Sequence, residues 1–238
     1  MRMSELSTTT GVAVPTLKFY LREGLLHSGE RTSPNQAQYD ETHVERVRLV
    51  RALLEVGNLS VAQAARVVGA LDADMPLSSV FGIAQRAVSI PSPIENDRDV
   101  DADALPGVGA TLIAELCERR GWRVHANNPG LALAARVLDT YAALGLESIT
   151  TTVLEPGADA AQLVASADLA AVASAAPDPA EMTRVVAVGT VLGDSLIAGL
   201  RRIAQEAESF RRFPLPEGTP TPAPLTAAAI AAELDEDC

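Results

Sequence analysis

Cysteine, histidine, lysine and aromatic residues are scarce in this chain, and each shortage closes off a class of explanation. The two cysteines, Cys117 and Cys238, stand far apart, which is neither a disulfide framework nor the spacing of a zinc site. The three histidines, His27, His43 and His125, are scattered. No Ser/His/Asp or Cys/His order, paired-carboxylate motif or glycine-rich phosphate loop stands beside them. Cys117 with His125 lacks the further ligands a metal needs and reads as a buried thiol on a helix. The sequence therefore points away from an enzyme and asks for neither metal nor cofactor. No run of about 18 apolar residues is read, nor the apolar stretch of a signal peptide, so a cytoplasmic protein with no membrane association is expected. Aromatics make up only 3% of a composition that is 47% hydrophobic, which suits helices packed through small side chains.

The net charge of −12 over 238 residues would ordinarily argue against a nucleic-acid partner, but the charge is unevenly placed. Residues 1–72 hold eight basic and eight acidic side chains, while residues 73–238 hold 11 and 23. All the excess acid thus lies outside the first third. That third also holds Lys18, the single lysine of the chain.

Lys18 sits in the stretch Val14–Leu26, which reads as a short helix with Leu17, Tyr20 and Leu21 about one turn apart. Pro15 fits its first turn, where the backbone N–H groups lack helical partners anyway, and Gly24 ends it. Ser4 is the expected cap of a preceding helix over about 5–9, closed by Thr10-Gly11. Two short helices around a glycine turn have the spacing of a helix-turn-helix, whose second helix can lie in a DNA major groove. Residues 27–39 are polar, rich in turn formers and closed by Tyr39, as in a small β-hairpin wing. Asp40 can cap a helix of about 41–56, with Val44, Val47, Val50, Leu53 and Leu54 inward and Gly57 as its stop. Ser60-Val61-Ala62-Gln63 is a capping box opening a fourth helix.

Across residues 2–72 the chain resembles the MerR (mercury-resistance regulator) family of bacterial transcription factors. The resemblance rests on Ser4-Glu5-Leu6, Thr10-Gly11-Val12, Thr16-Leu17-Lys18-Phe19-Tyr20, Glu23-Gly24-Leu25-Leu26, Arg31, Tyr39 and Leu59-Ser60. It implies a promoter-binding dimer with its second helix in the major groove and its wing on the flanking backbone. On this reading the DNA contacts come from Thr16, Lys18, Phe19, Tyr20, Arg22, Arg31, Asn35, Gln36, Gln38 and Tyr39. Tyr20 has a second reading as a core aromatic. Two departures stand out. Gln36-Ala37-Gln38 occupies the place where the family commonly has an arginine, and Ala13 replaces a capping hydroxyl worth roughly 1 kcal/mol. Arg46, Arg48 and Arg51 read as a solvated face.

The familiar pattern stops near residue 72. A helix over about 77–90 is too short for the family's long dimerisation helix, and residues 73–104 form that helix and an acidic, proline-containing linker. Residues 105–213 form a second domain, expected to be an all-helical dimerisation and effector region. Its helices are read at about 105–120, 129–145, 158–175, after Pro179, and at 194–212. The alternative is an α/β domain with strands at 122–126, 148–154 and 184–192. Trp122, Tyr141, Phe210 and Phe213 are candidates for an effector pocket, with ordinary core positions as the plainer reading. Residues 214–238 are a proline-rich linker and acidic tail. The expected fold is mainly α, a winged helix-turn-helix followed by a helical domain. The expected function is a dimeric transcription regulator with double-stranded promoter DNA, RNA polymerase and a small effector as partners. An excisionase-like DNA-architecture protein is the rival.

Overall fold

The computed structural model describes residues 1–33, 36–73, 75–89, 107–213, 219 and 225–236. Asn35, the linker expected over 91–104, the prolines of 214–224 and Cys238 lie outside the described residues. The chain divides into two compact units, Met1–Leu196 and Ile197–Cys238.

The first unit begins with helices α1 (Met3–Thr10) and α2 (Val14–Arg22), the wing strands β1 (Glu30–Ser33) and β2 (Gln36–Gln38), α3 (Glu41–Arg51) and α4 (Val61–Asp72). Helix α1 starts earlier than Ser4 predicts, because the Glu5 carboxylate accepts the Arg2 backbone N–H at 2.6 Å and Arg2 takes the cap position. Gly11 closes α1 in the left-handed conformation, φ 69°. Helix α3 does not run on as α-helix to residue 56. Its last turn, Ala52–Val56, widens to a π turn in which the Gly57 N–H donates to the Ala52 carbonyl at 2.9 Å. The Ser60 box forms as expected, with Gln63 N–H on Ser60 Oγ at 3.3 Å and Ser60 N–H on Gln63 Oε1 at 2.8 Å. Leu6, Leu17, Leu25, Val44, Val47, Val50, Leu53, Val67 and Val68 fuse these elements into one core. The Arg46 guanidinium forks onto both oxygens of Asp72, tying α3 to the end of α4. Helix α5 (Leu77–Ser89) adds Val80 and Ala87 to the same core.

The rest is helical: α6 (Val108–Arg120), α7 (Pro129–Ala143), α8 (Glu147–Ser174), α9 (Pro179–Arg212) and α10 (Ala227–Glu236). None of the three stretches considered as strands is one. Residues 148–154 belong to α8, 184–192 belong to α9, and 122–126 form the connection between α6 and α7. The helix expected over about 158–175 instead starts at Glu147 and passes through Pro156. Proline removes a helical bond, but here neighbours hold the helix on both sides of it. Thr151 and Thr152 hydroxyls donate to the Glu147 and Ser148 carbonyls, and Arg119 and Arg120 grip Glu155 and Asp159. A small second cluster joins Ile113, Leu116, Leu138 and Ala158. Gly109 permits the α6–α7 crossing, since a Cβ there would collide with the Ala135 carbonyl oxygen.

Helix α9 amends one sequence reading. Val185 to Leu200 carries a single charge, Asp194, and α9 is long and apolar enough to cross a membrane by length and composition. Its glycines and hydroxyls hide this in a residue-by-residue scan. Within the first unit, however, its Val186, Ala187 and Val191 are buried in the N-terminal core. Val191 packs so closely on Gly57 that a Cβ on that glycine would lie 2.5 Å from it.

Candidate nucleic-acid interface

Helix α2 is held by one side and open on the other. Leu17 and Tyr20 are buried while Lys18 and Arg22, one turn apart, are exposed. Thr16 is half-buried on the flank near the helix start. Pro15 stands in the first turn, and Ala13 makes no side-chain cap, as its methyl group dictates. At the other end Gly24, with φ 70°, lets the Leu25 and Leu26 N–H groups return to the Tyr20 carbonyl at 2.9 and 3.2 Å. Arg22 donates from Nε to Glu23 Oε1 at 3.0 Å and lies 5.1 Å from the Phe19 ring centre. That exposed pair contributes little stability, and a phosphate can compete for the guanidinium.

The two tyrosines expected among the DNA contacts are largely buried. Tyr20 is 6% exposed and Tyr39 7% exposed. Burial raises both hydroxyls above their ordinary titration range, with Glu55 adding to the effect at Tyr20. In the wing, Glu30 pairs with Gln38 and Arg31 with Ala37, with a register shift before Ser33. Arg31, Gln36 and Gln38 are exposed along it. Gly29 fits its base because a side chain there would run into the Gln38 carbonyl.

The histidines that look scattered in sequence are partly gathered. His27 and His43 stack with ring centres 3.9 Å apart across the foot of the wing, and Tyr39 meets His43 edge-on at 5.0 Å. His43 Nδ1 lies 2.7 Å from Asp40 Oδ1 and accepts the Asp40 N–H at 3.1 Å. Asp40 also accepts from the Thr42 backbone at 3.0 Å. Hydrogen bonding from Thr42, and then the close His43 ring, hold its carboxyl well below the usual carboxylate range. Ligand atoms of His27, Asp40 and His43 come within 4.8 Å of one another. A cation there would face the positive end of α3 and displace the capping bonds, so the group is best understood as a joint between wing and helix. Its signal in sequence is Asp40-x-x-His43, a capping box with histidine in place of Glu or Gln.

The remaining candidates lie elsewhere. Arg51 pairs with Glu55 at 2.8 Å and Arg48 approaches Glu41 at 4.0 Å, so these arginines belong to a solvated face. Trp122 and Tyr141 pack against the small α6–α8 cluster, whereas Phe210 and Phe213 belong to the second unit. An apolar groove of about 530 Å³ instead lies among Val56, Asp168, Val188, Leu192 and Leu196.

A profile of the MerR HTH family regulatory proteins matches residues 1–71. The crystal structure of a candidate transcriptional regulator, SCO5550 from Streptomyces coelicolor A3(2), superposes with TM-score 0.62 at 30% identity. That match covers 91% of this chain and 99% of the other. The chain belongs to the MerR family. Among its MerR-type relatives, nodulation protein NolA of Bradyrhizobium elkanii is 46% identical over 56 residues, 24% of this chain and 26% of NolA. The HTH-type transcriptional regulator ZntR homolog of Haemophilus influenzae is 29% identical over 85 residues, 30% of this chain and 63% of that protein. The match thus spans about a quarter of NolA. The SCO5550 match, at 91% of this chain, reaches well beyond the winged module.

Proposed function

We propose that this MerR-family chain is a sequence-specific DNA-binding transcription regulator that works as a homodimer on a two-fold-symmetric promoter site. Helix α2 enters the major groove and the wing lies along the flanking backbone. The observation that carries the reading is the division of α2, buried through Leu17 and Tyr20 and open through Lys18 and Arg22. A helix fixed by its inner side presents its cations in a defined register, and phosphate contacts of this kind set orientation on the duplex. The neutral balance of residues 1–72 removes the repulsion that the acidic remainder would exert. Two copies are expected because one small winged module binds weakly, and tethering two raises the effective concentration of the second. For effector sensing, support comes from the apolar groove beside Val56, which touches the last turn of the third helix of the winged module. RNA polymerase is the partner through which such a regulator would act.

The test is a footprint with a transcription assay on fragments selected by the wild-type protein. Lys18→Ala and Arg22→Ala are expected to weaken protection and change transcription while leaving the fold intact. Unchanged binding by both variants at moderate salt would remove α2 from the groove. A clustered array of protected sites, in place of one symmetric site, would favour the excisionase-like reading.

A further inference from the structure

The second half of α9 is an amphipathic helix without a partner. In the unit Ile197–Cys238 no large apolar side chain is buried among the described residues; Leu200 is 51%, Ile203 63% and Phe210 37% exposed. From Leu196 the row runs through Leu200, Ile203, Ala207 and Phe210, at intervals of four, three, four and three, which is the seam of a coiled coil. Arg201, Arg202, Gln205 and Arg212 are exposed and fall outside that seam. An apolar stripe of this kind gains stability only when covered, since helical propensity alone leaves short helices marginal in water.

We propose that this face is covered by the same face of a second copy, in a parallel two-stranded coil along α9. The proposal rests on the dimeric reading above and says where the copies meet. The flanking charges select both the partner and its direction. With Leu200 and Ala207 at the a positions, Glu206 occupies g and Arg211 the following e. In a parallel coil, g of one helix faces the next e of the other, so Glu206 of each chain meets Arg211 of its mate, twice by symmetry. An antiparallel coil sets g against g and e against e and gains neither pair. Arg211 now leans on Glu208 of its own helix, an exposed pair that a cross-helix carboxylate can replace. Glu206 makes no ion pair among the described residues, and the small residues Gly199 and Ala204 at the other g and e positions keep the two backbones accessible to each other.

The experiment uses the full chain in sedimentation equilibrium and light scattering. Wild type is expected to be a dimer, and Leu200→Glu with Ile203→Glu a folded monomer by circular dichroism. Glu206→Arg or Arg211→Glu alone should weaken association roughly tenfold by setting like charges opposite each other, and the two together should restore it. In a background with Cys117→Ser and Cys238→Ser, Ile203→Cys should form an interchain disulfide under mild oxidation, as a parallel register allows. Unchanged dimerisation in the Leu200→Glu, Ile203→Glu protein would overturn the seam. So would failure of the double charge reversal to restore the dimer, or a wild-type monomer that co-sediments with phosphatidylcholine vesicles through this helix. The groove reading is tested separately, because a monomeric variant should still bind a half-site at high concentration through Lys18 and Arg22.

Discussion

The winged module and the helical remainder bury their apolar side chains very differently. In the first 72 residues, leucines and valines from every helix meet in one core, and Leu6, Leu17, Leu25, Val44, Val47, Val50 and Leu53 are fully enclosed. Beyond residue 106, Val172, Val186, Ala187 and Val191 join that same core, and among the described residues Ile113, Leu116, Leu138 and Ala158 form a small separate cluster, while Leu163 and Leu169 of α8 are 73% and 53% exposed. The module's core is closed with help from α8 and α9. The helical region leaves apolar surface open, and contiguous surface of that kind marks a place where something binds. Stability in the winged module is a matter of core packing, and the proposed dimer would supply cover for the apolar surface of the other region.

That contrast can be broken or sharpened by substitution. Leu17→Ala removes a fully buried side chain and should destabilise the winged module by about 2–5 kcal/mol. Leu163→Ala should leave denaturant unfolding nearly unchanged, so equal losses at the two positions would erase the distinction. Gly109→Ala forces a methyl group against the Ala135 carbonyl and should loosen the α6–α7 crossing by about 1–3 kcal/mol. Chemical denaturation followed at Trp122, which packs beside that cluster, would read it. Ser60→Ala removes a formed cap and should lower stability by about 1 kcal/mol, seen as a shift in urea midpoint with unchanged slope. The smallest effect is expected at Asp194, an exposed side chain whose carboxyl is raised by partial desolvation and then by Asp168. A raised acid disfavours its charged form in the folded state, so stability declines as pH climbs past the ordinary carboxylate range. Asp194→Asn should therefore raise the melting temperature slightly at pH 7, and the gain should vanish below about pH 4, where both states are protonated.

The contrast also governs what could be read from sequence. Winged-module elements carry their own local signals: Gly11 and Gly24 in left-handed turns, Asp40 and Ser60 as caps, and Gln63 completing a box. Each signal acts within four residues, so the chain order alone discloses it. The same holds for α6 and α7, where Gly121 and Gly145 take positive φ and Asn128 caps α7 by accepting the Gly130 N–H. In α8 and α9, Pro156 and the Val/Thr run 184–192 argue locally for interruption, so the sequence reads as shorter elements than the two long helices that form. Distant contacts settle those stretches, the arginine grip on Glu155 and the seating of Val191 on Gly57. At the interface, the exposure of Lys18 and Arg22 followed from helical spacing. The core burial of Tyr20 and Tyr39 and the stacking of His27 on His43 depend on how the wing folds back onto α3, which spacing does not encode.

The central claim is that the open side of α2, presented once by each of two chains, is the DNA surface. The direct measurement is the slope of log binding constant against log salt concentration on a wild-type-selected site, for wild type and Lys18→Ala. Each phosphate contact contributes about 0.9 to that slope, so losing one from each chain should reduce it by about 2. The footprint should retain two half-sites about one helical turn apart. A slope unchanged by Lys18→Ala would contradict the account.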